Sequence, residues 1–222
     1  MEITLIIPAK NESESLPKVL DELKKFNFKI IVILRSEDKA TIQSISNYKI
    51  QIIFQDGFGY GDALIKGINS VETKYFCIFN ADGSFNPSEL PVMLELLKNS
   101  NLDFVFGSRY QKNSGSDDDT IITYIGNRIF TLIGKIFFRL TITDILYTFV
   151  IGKLDKTKSL KLNQKDFRFC VELPIKARRK MMPMTSSGSY ERKRIDGIKK
   201  VNAFKDGFFI LKYLIYLFFN KD

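Results

Sequence analysis

Apolar and polar positions alternate along the first 110 residues in short blocks, which predict strands and helices in turn. Consecutive apolar residues are typical of buried strands, and apolar residues spaced three or four apart are typical of helices. The predicted strands cover residues 3–7, 29–34, 50–54, 75–79 and 103–106. The predicted helices cover residues 14–25, 39–46, 62–70 and 88–98. This alternation predicts an α/β fold in which a mostly parallel sheet is flanked by helices.

Beyond residue 110 the pattern changes to longer apolar stretches that contain isolated charges. Residues 121–151 and the segment GFFILKYLIYLFF at 207–219 are both of this kind. Neither has the ~20 uncharged apolar residues that span a bilayer, so we expect amphipathic helices that lie in the membrane interface. For the terminal helix, packing against the core or against a second copy of the chain, as in a homo-oligomer, is the alternative.

The length and composition predict one compact domain with an extension. A chain of 222 residues with 45% hydrophobic content can bury a substantial core. We expect this domain to cover residues 1–206, with the interfacial helix at 207–222 following it. Within the domain, residues 166–180 are predicted to form a helix, and the segment MMPMTSSGS at 181–189 is predicted to be a flexible loop.

The net charge of +9 is concentrated in the last third of the chain. Residues 153–222 hold 18 Lys and Arg against 7 Asp and Glu, whereas residues 1–152 hold 16 against 18. The basic residues are interleaved with Phe, Ile and Leu, so we expect an anionic membrane surface or a phosphorylated acceptor, and no nucleic acid, as the partner. Cys77 and Cys170 predict reduced core thiols. The first strand follows Glu2 directly, which predicts no signal peptide and a cytoplasmic location.

The fourth predicted strand ends in the sequence Asn80-Ala81-Asp82-Gly83-Ser84. Side chains just beyond the carboxyl end of a buried parallel strand project into the crevice where open α/β sheets bind ligands. Divalent cations such as Mg²⁺ prefer oxygen ligands, and one carboxylate suffices when the substrate supplies phosphate oxygens. The segment therefore predicts a metal-diphosphate site built on Asp82, with Asn80 and Ser84 beside it. An ordinary Asp-Gly turn is the alternative.

Three other motifs follow predicted strands in the same way, and together the four carry a family resemblance. They are Pro8-Ala9-Lys10-Asn11-Glu12 after the first strand, Gly59-Tyr60-Gly61-Asp62-Ala63 after the third and Gly107-Ser108-Arg109 after the fifth. Their order resembles that of family-two inverting glycosyltransferases with the Rossmann-like GT-A fold. The resemblance is greatest to the branch of dolichyl-phosphate and polyprenyl-phosphate sugar synthases, and it covers about residues 1–110 well.

The resemblance implies a nucleotide-diphosphate sugar donor, a divalent metal (Mg²⁺ or Mn²⁺) and a set of donor contacts. The implied donor-binding residues are Pro8, Ala9, Asn11, Glu12, Asp38, Gly59, Gly61, Asn80, Ala81 and Asp82. The two glycines would let the start of a helix approach the phosphates closely. The sequence departs from the family pattern twice, because Ile33 and Leu34 replace aspartates of the second loop and Asn80 replaces the first aspartate of the metal motif. The first departure leaves the nucleotide base open, and the second should weaken metal binding in the absence of nucleotide.

The acceptor is less well defined. The chain contains no histidine, so a general base would have to be a carboxylate, and Asp144 is the first choice with Asp117 second. A polyprenyl phosphate is already an anion and needs no base. By the resemblance, its phosphate would be bound by Ser108 and Arg109 of the motif after the fifth strand, and by basic residues later in the chain: Arg128, Arg194 and Lys200. The run Asp117-Asp118-Asp119 is predicted to be a solvated cap, and Glu172 a weaker candidate base that pairs with a nearby Arg.

Taken together, these residues predict an inverting, metal-dependent glycosyltransferase at the cytoplasmic membrane face. Its catalytic residues are expected to be Asp82, Asp144 and Arg109, and its acceptor a polyprenyl phosphate. A glycosyltransferase that acts on a saccharide hydroxyl in cell-surface polysaccharide synthesis is the nearest alternative. A non-catalytic membrane-binding module on a decayed transferase fold is the alternative from a different class.

Overall fold

The computed structural model describes residues 2–196 and 201–220. Within them, seven strands form one twisted sheet in the order β3-β2-β1-β4-β7-β5-β8. β7 is antiparallel to both of its neighbours, and the other strands run parallel to one another. The strands of this sheet are β1 (Ile3–Pro8), β2 (Lys29–Leu34), β3 (Gln51–Phe54), β4 (Tyr75–Ile78), β5 (Phe104–Ser108), β7 (Val150–Lys153) and β8 (Met184–Gly188). Two short strands, β6 (Gly115–Ser116) and β9 (Tyr190–Glu191), pair in parallel as a separate sheet.

Helices cover both faces of this sheet, as buried parallel strands require. Side chains of α1 and α4 pack on one face, and those of α3 and α7 on the other. The helices are α1 (Leu16–Leu23), α2 (Lys39–Ser44), α3 (Tyr60–Ser70), α4 (Glu89–Asn99), α5 (Ile121–Phe138), α6 (Leu154–Ser159), α7 (Phe169–Arg179) and α8 (Ala203–Phe219). The predicted α/β class and the mostly parallel sheet are confirmed.

Two predictions about the second half of the sheet were wrong. Residues 181–189 were expected to be a flexible loop, but Met184–Gly188 form β8, which pairs with β5 along its whole length. The stretch is rich in Ser and Gly, so its strand conformation comes from the hydrogen bonds that β5 offers and not from its own propensity. Strand β7 begins at the end of the segment 121–151, which we expected to form amphipathic helices that face the membrane. Phe149 and Ile151 are instead fully buried in the core.

Helices α5 and α8 pack against each other beside the sheet. One face of α8 joins the core through Ile210, Tyr213, Leu214 and Leu217. The opposite faces of the two helices expose large apolar side chains: Ile121, Ile122, Tyr124, Ile125, Ile129, Leu132, Ile136 and Phe137 on α5, and Phe204, Phe208, Phe209, Leu211, Ile215, Tyr216, Phe218 and Phe219 on α8. We call this surface the α5–α8 apolar face. By length and composition alone, α5 is also long and apolar enough to cross a membrane.

Candidate active site

The motif after β1 and the start of α2 meet at the carboxyl edge of the sheet because β1 and β2 are adjacent and parallel. Asn11 adopts a left-handed backbone conformation, with φ of 54°, and its N–H donates to Asp38 Oδ2 at 2.7 Å. The other oxygen of Asp38 accepts from the N–H of Thr41 and caps α2. Asp38 therefore shapes the loop that was predicted to contact the donor, and both of its oxygens are engaged.

Three more residues of the predicted donor site lie in this loop. Ala9 is buried, and its N–H donates to the Ile33 carbonyl at 2.8 Å. Glu12 is only 7% exposed and accepts from the Ser15 hydroxyl at 2.6 Å. Pro8 ends β1 and is half-buried. These residues are brought together as expected, and the surface that they offer to a ligand is largely backbone.

Gly59 and Gly61, in the motif after β3, lie in close contact with the backbone of another segment of the chain. A Cβ on Gly59 would lie 2.3 Å from the carbonyl oxygen of Lys165, and one on Gly61 would lie 2.1 Å from that of Gln164. The N–H of Asp62 donates to the same Lys165 carbonyl at 2.9 Å. The glycines therefore let α3 pack against the backbone of residues 164–166, and their close approach to the donor phosphates stays a prediction.

The metal motif after β4 forms a tight turn around one carboxylate. Ser84 donates to Asp82 Oδ1 twice, from its N–H at 3.0 Å and from its hydroxyl at 2.7 Å. Asn80 Nδ2 donates to the Ser84 hydroxyl oxygen at 3.3 Å. The predicted metal residues Asp82, Asn80 and Ser84 thus lie together, with Ala81 buried beneath them.

Residues 189–196, which we call the strap, lie across this turn. The N–H groups of Arg192 and Ile195 donate to the carbonyls of Ser84 and Asp82, each at 2.8 Å. Gly83 has φ of 81°, and a Cβ there would lie 2.5 Å from the Ile195 side chain. The strap therefore covers the metal motif closely. A cavity of about 350 Å³ exists elsewhere, beside Asp56, Asp62, Lys66 and Lys165, and contains none of the predicted site residues.

Two arginines of the strap hold it in place. Arg192 donates to Glu22 of α1 at 2.8 Å and to the Phe85 carbonyl at 2.8 Å. Arg194 donates to Asp118 at 2.9 Å, and its Nη1 lies 3.7 Å from Asp82 Oδ2. Arg194 is thus the described cation nearest to the metal motif. Lys200, the other basic residue predicted in this segment, lies outside the described residues.

Arg109 occupies the centre of a buried cluster at the end of β5. It donates to both oxygens of Asp144, from Nε at 2.7 Å and from Nη2 at 3.1 Å. Its Nη1 donates to Glu191 at 3.2 Å and to Asp119 at 3.4 Å. Three carboxylates around one guanidinium leave this cluster with excess negative charge. Arg109 and Asp144 are 8% and 0% exposed, so neither is accessible to a substrate, and their predicted catalytic and acceptor-binding roles are not supported by this geometry.

Other residues of the predicted acceptor site also differ from expectation. Ser108 is fully buried, and its hydroxyl oxygen accepts from Thr143 at 2.7 Å, so it offers no surface to a phosphate. Arg128 is exposed on α5, and its guanidinium lies 5.3 Å from the centroid of the Tyr110 ring. Arg109 approaches the same ring at 5.4 Å. Of the cations predicted to bind the acceptor phosphate, Arg128 and Arg194 are therefore the accessible ones among the described residues.

The acidic run at 117–119 is not a solvated cap. Asp119 is paired with Arg109 and accepts from the hydroxyl of Tyr110 at 3.1 Å, and Asp118 is paired with Arg194. Asp117 is exposed and accepts from the Tyr190 hydroxyl at 2.7 Å. The run links α5 to Arg109 and to the strap, which its sequence alone did not indicate.

Two glutamates near the strap have perturbed acidity. Burial raises the pKa of Glu191, and the positive charge of Arg109 offsets this only in part. Burial also raises the pKa of Glu89, which accepts from the Ser189 hydroxyl and from the Tyr190 N–H. Neither residue was singled out from the sequence, because a single Glu in a basic or helical segment carries no motif. Glu172, the weaker candidate base, is fully buried and pairs with Lys176 rather than with an Arg.

The oxygen atoms around Asp82 fit a metal ion that takes one carboxylate from the protein. No group of three or more Asp, Glu or Cys side chains that could enclose a metal occurs within residues 2–196 and 201–220. Asp82 Oδ1 is satisfied by Ser84, whereas Oδ2 points toward the cationic side chain of Arg194 and so favours positive charge. Mg²⁺ and Mn²⁺ bind well to such sites when a diphosphate and water complete the coordination shell.

Sequence comparison identifies the family to which this chain belongs. The model of "Glycosyl transferase family 2" matches residues 4–160, and the chain belongs to this family of enzymes. An uncharacterized glycosyltransferase of Mycobacterium tuberculosis is 28% identical over 107 residues, 48% of each chain. The low-salt glycan biosynthesis hexosyltransferase Agl6 of Haloferax volcanii is 21% identical over 221 residues, 96% of this chain and 53% of Agl6. The matched region spans about half the length of these curated relatives.

Solved structures share the fold at low sequence identity. Glucosyl-3-phosphoglycerate synthase from Mycobacterium tuberculosis, in complex with Mn²⁺, uridine-diphosphate and phosphoglyceric acid, superposes with a TM-score of 0.72 at 14% identity. That match covers 96% of this chain and 75% of the other. The same enzyme with uridine-diphosphate alone gives a TM-score of 0.74 at 13% identity, covering 99% and 81%. The predicted family and the predicted GT-A fold are confirmed.

Proposed function

We propose that the protein transfers a sugar, with inversion, from a nucleotide-diphosphate donor to a polyprenyl phosphate at the cytoplasmic face of a membrane. The observation that carries the proposal is the arrangement of Asp82 and Arg194 at the carboxyl edge of the sheet, with the α5–α8 apolar face beside them. Support for the donor comes from the family and from structural neighbours that bind uridine-diphosphate with Mn²⁺.

The donor diphosphate is placed against the turn after β4. Asp82, with Asn80 and Ser84, would hold Mg²⁺ or Mn²⁺, which when bound supplies the positive charge that stabilises a departing diphosphate. The loop of Asn11 and Glu12 forms the adjacent wall for the nucleotide. Asp38 acts on this wall indirectly, since it fixes the backbone of Asn11.

The acceptor phosphate is placed between Arg194 and Arg128. Arg128 has no carboxylate within ion-pair distance among the described residues, and it is exposed about two turns into α5, over the ring of Tyr110. A phosphate monoester is an anion at neutral pH, so its oxygen attacks the anomeric carbon without a base. The buried Arg109 cluster then positions the chain: it joins the end of β5 to α5 and to the strap, and it brings both arginines to the same edge.

The membrane surface is the proposed partner of the α5–α8 apolar face. From Ile121 to Phe138 the helix contains Arg128 and Lys135 but no acidic residue, and α8 contains Lys205 and Lys212 with Asp206 as its one acid. Exposed aromatic and aliphatic side chains with a basic rim fit the interface of an anionic bilayer. This surface runs from the start of α5, next to Arg109 and Asp119, and so ends at the proposed acceptor site.

A saccharide hydroxyl is the second candidate acceptor, and the excess negative charge around Arg109 favours it. A neutral acceptor is not repelled by Asp119 and Glu191, and a carboxylate with a raised pKa suits a general base. Glu191 is then the candidate base in place of the buried Asp144. The name of the Haloferax relative, a glycan biosynthesis hexosyltransferase, agrees with this acceptor class.

The test is a transfer assay with a panel of radiolabelled nucleotide sugars, Mn²⁺ and polyprenyl phosphate. Label that enters the organic phase, is released by mild acid and is lost in Asp82→Asn supports the proposal and identifies the donor. Label that enters only water-soluble oligosaccharide would move the acceptor to a saccharide hydroxyl. A protein that folds and binds vesicles, but transfers no label from any donor to either acceptor, would instead be the non-catalytic binding module.

A further inference from the structure

The carboxylate of Asp82 is the end of a chain of side-chain hydrogen bonds that begins at Thr148, just before β7. Thr148 and Tyr60 share a hydrogen bond between their hydroxyls at 2.7 Å, and the Tyr60 hydroxyl lies 3.4 Å from Asn80 Oδ1. Asn80 Nδ2 lies 3.3 Å from Ser84 Oγ, which lies 2.7 Å from Asp82 Oδ1. We call these five residues the Tyr60 relay.

The ionised carboxylate of Asp82, the last member of the Tyr60 relay, fixes the direction of every hydrogen bond in it. An ionised carboxylate accepts only, so the single hydroxyl hydrogen of Ser84 points to Asp82. Ser84 Oγ must then accept from Asn80, which places the amide NH₂ toward Ser84 and the amide oxygen toward Tyr60. The Tyr60 hydroxyl therefore donates to Asn80. Its oxygen is left to accept from Thr148, and all donors point toward Asp82.

This direction explains the amide at position 80. The residue must accept from Tyr60 on one side and donate to Ser84 on the other, and among acidic and amide side chains only the amide does both when carboxylates are ionised. A carboxylate there would face the Ser84 oxygen with a second acceptor. Asn80 is thus a functional member of the relay as well as a departure from the usual first aspartate.

Tyr60 is held rigidly enough to act in this way. Its ring stacks on Phe167 with centroids 5.2 Å apart, and it begins α3 immediately after Gly59, whose packing against Lys165 fixes the helix start. A tyrosine hydroxyl is a neutral donor at physiological pH. The hydroxyl is therefore a fixed point from which Asn80 and Ser84 are oriented.

We infer that Tyr60 is a positioning residue: through Asn80 and Ser84 it saturates Asp82 Oδ1 and leaves Oδ2 as the oxygen available to the metal-diphosphate complex. The inference rests on the proposed function, because it assigns Asp82 to that complex. Tyr60 touches neither substrate nor metal in this role, and its effect is on the orientation of the carboxylate.

The test is Mn²⁺ binding in the presence of inorganic pyrophosphate, followed by electron paramagnetic resonance and not by activity. Tyr60→Phe keeps the ring and its stacking on Phe167 but removes the donor to Asn80. Loss of one neutral hydrogen bond predicts an apparent Kd for Mn²⁺ raised about fivefold. Tyr48→Phe is the matched control, because its hydroxyl bonds the Pro17 carbonyl and Asp21, remote from β4, and its Kd should be unchanged.

A double variant separates the relay from a general loosening of the fold. If Tyr60 acts through Asn80, Tyr60→Phe/Asn80→Ala should bind Mn²⁺ no more weakly than Asn80→Ala alone, since both remove the same path. Additive losses, or a Tyr60→Phe variant that binds like the wild type while Asp82→Asn does not bind, would overturn the relay and leave the proposed function standing. Unchanged Mn²⁺ binding in Asp82→Asn would overturn both.

Discussion

Arg109 and Asp144 form a buried, two-point ion pair in which Nε and Nη2 of the arginine each donate to a separate carboxylate oxygen. Asp144 lies in the turn that follows α5, and Arg109 ends β5, so the pair joins the apolar helix to the sheet. Asp144 has no exposed surface, and its carboxylate is committed to this structural contact. The aspartate that the sequence favoured as a base therefore fixes the position of an arginine.

The ion pair leads to a prediction about stability. Removal of Asp144 leaves Nε and Nη2 of a buried guanidinium without their acceptors, so Asp144→Ala should lower the free energy of unfolding by about 3 kcal/mol. Urea denaturation at neutral pH measures this change. Glu2→Gln is the control, because it removes an exposed ion pair with Lys98 and should leave the midpoint unchanged. Equal midpoints for Asp144→Ala and the wild type would contradict the structural role.

The surroundings of two glycines, Gly61 in α3 and Gly126 in α5, predict opposite effects when each is replaced by alanine. A Cβ at Gly61 would overlap the carbonyl oxygens of Gln164 and Asp166, at 2.1 and 2.8 Å, whereas one at Gly126 in α5 would meet nothing within 4 Å. Gly61→Ala should therefore destabilise the protein by about 1–3 kcal/mol. Gly126→Ala should stabilise it by up to about 1 kcal/mol. Thermal unfolding of the two variants, followed by circular dichroism, checks both signs.

The raised pKa of Glu191 predicts a pH dependence of stability. A carboxyl group whose pKa is higher in the folded than in the unfolded state binds more protons when folded, so its contribution to stability falls as the pH rises through that pKa. The free energy of unfolding of the wild type, relative to Glu191→Gln, should decrease as the pH rises above about 4.3, the ordinary pKa of glutamate. A flat difference above this pH would show that burial does not perturb Glu191.

The position of Arg194 predicts which substrate it serves. If it binds the acceptor phosphate, Arg194→Gln should raise the KM for polyprenyl phosphate roughly tenfold, since a charge-assisted hydrogen bond is lost. The exposed neighbour Lys193 provides the matched control, and Lys193→Gln should leave this KM unchanged. An effect of Arg194→Gln confined to the KM of the donor would place this arginine at the diphosphate instead.

The α5–α8 apolar face predicts where membrane binding can be removed. Ile136→Ser/Phe208→Ser replaces two exposed side chains, at 61% and 60%, and should reduce co-flotation of the protein with anionic vesicles without lowering its thermal stability. Val92→Ser, at 59% exposure on α4, is the control on the opposite side of the sheet. Flotation that responds equally to all these changes, or to none, would argue against this face as the membrane contact.

The sequence predicted the first half of the fold well because its strands are locally encoded. The runs at Ile3–Pro8 and Lys29–Leu34 are continuous, apolar and bounded by polar residues, so composition and conformation agree. Strand β8 could not be found in this way, since Met184–Gly188 has only one large apolar residue and owes its conformation to pairing with β5. When a strand forms because it pairs with a neighbouring strand, as β8 does with β5, its own residues need not show a strand pattern.

The candidate site was likewise predictable only where its residues are neighbours in the sequence. Asn80, Asp82 and Ser84 form a contiguous motif, and the structure places them together. The partners of Asp82 come from distant positions, however: Arg194 from the strap, and Tyr60 and Thr148 through Asn80. The burial of Asp144 and Asp119 was equally hidden, because an acidic residue is expected at the surface unless its cation is known, and Arg109 is 35 residues away from Asp144.

The insertion of β7 between β4 and β5 has a consequence for how the chain folds during synthesis. Strands β1 to β4 can assemble as soon as residue 78 has left the ribosome, because the pairings that join these four strands to one another involve no later strand. Strand β5 has no such neighbour: it must wait for Val150–Lys153, about 45 residues later, and then for β8. Throughout that interval the nascent chain exposes the unpaired edges of β4 and β5 together with the apolar residues of α5. A chaperone or a nearby membrane would meet this partly folded state before the sheet closes.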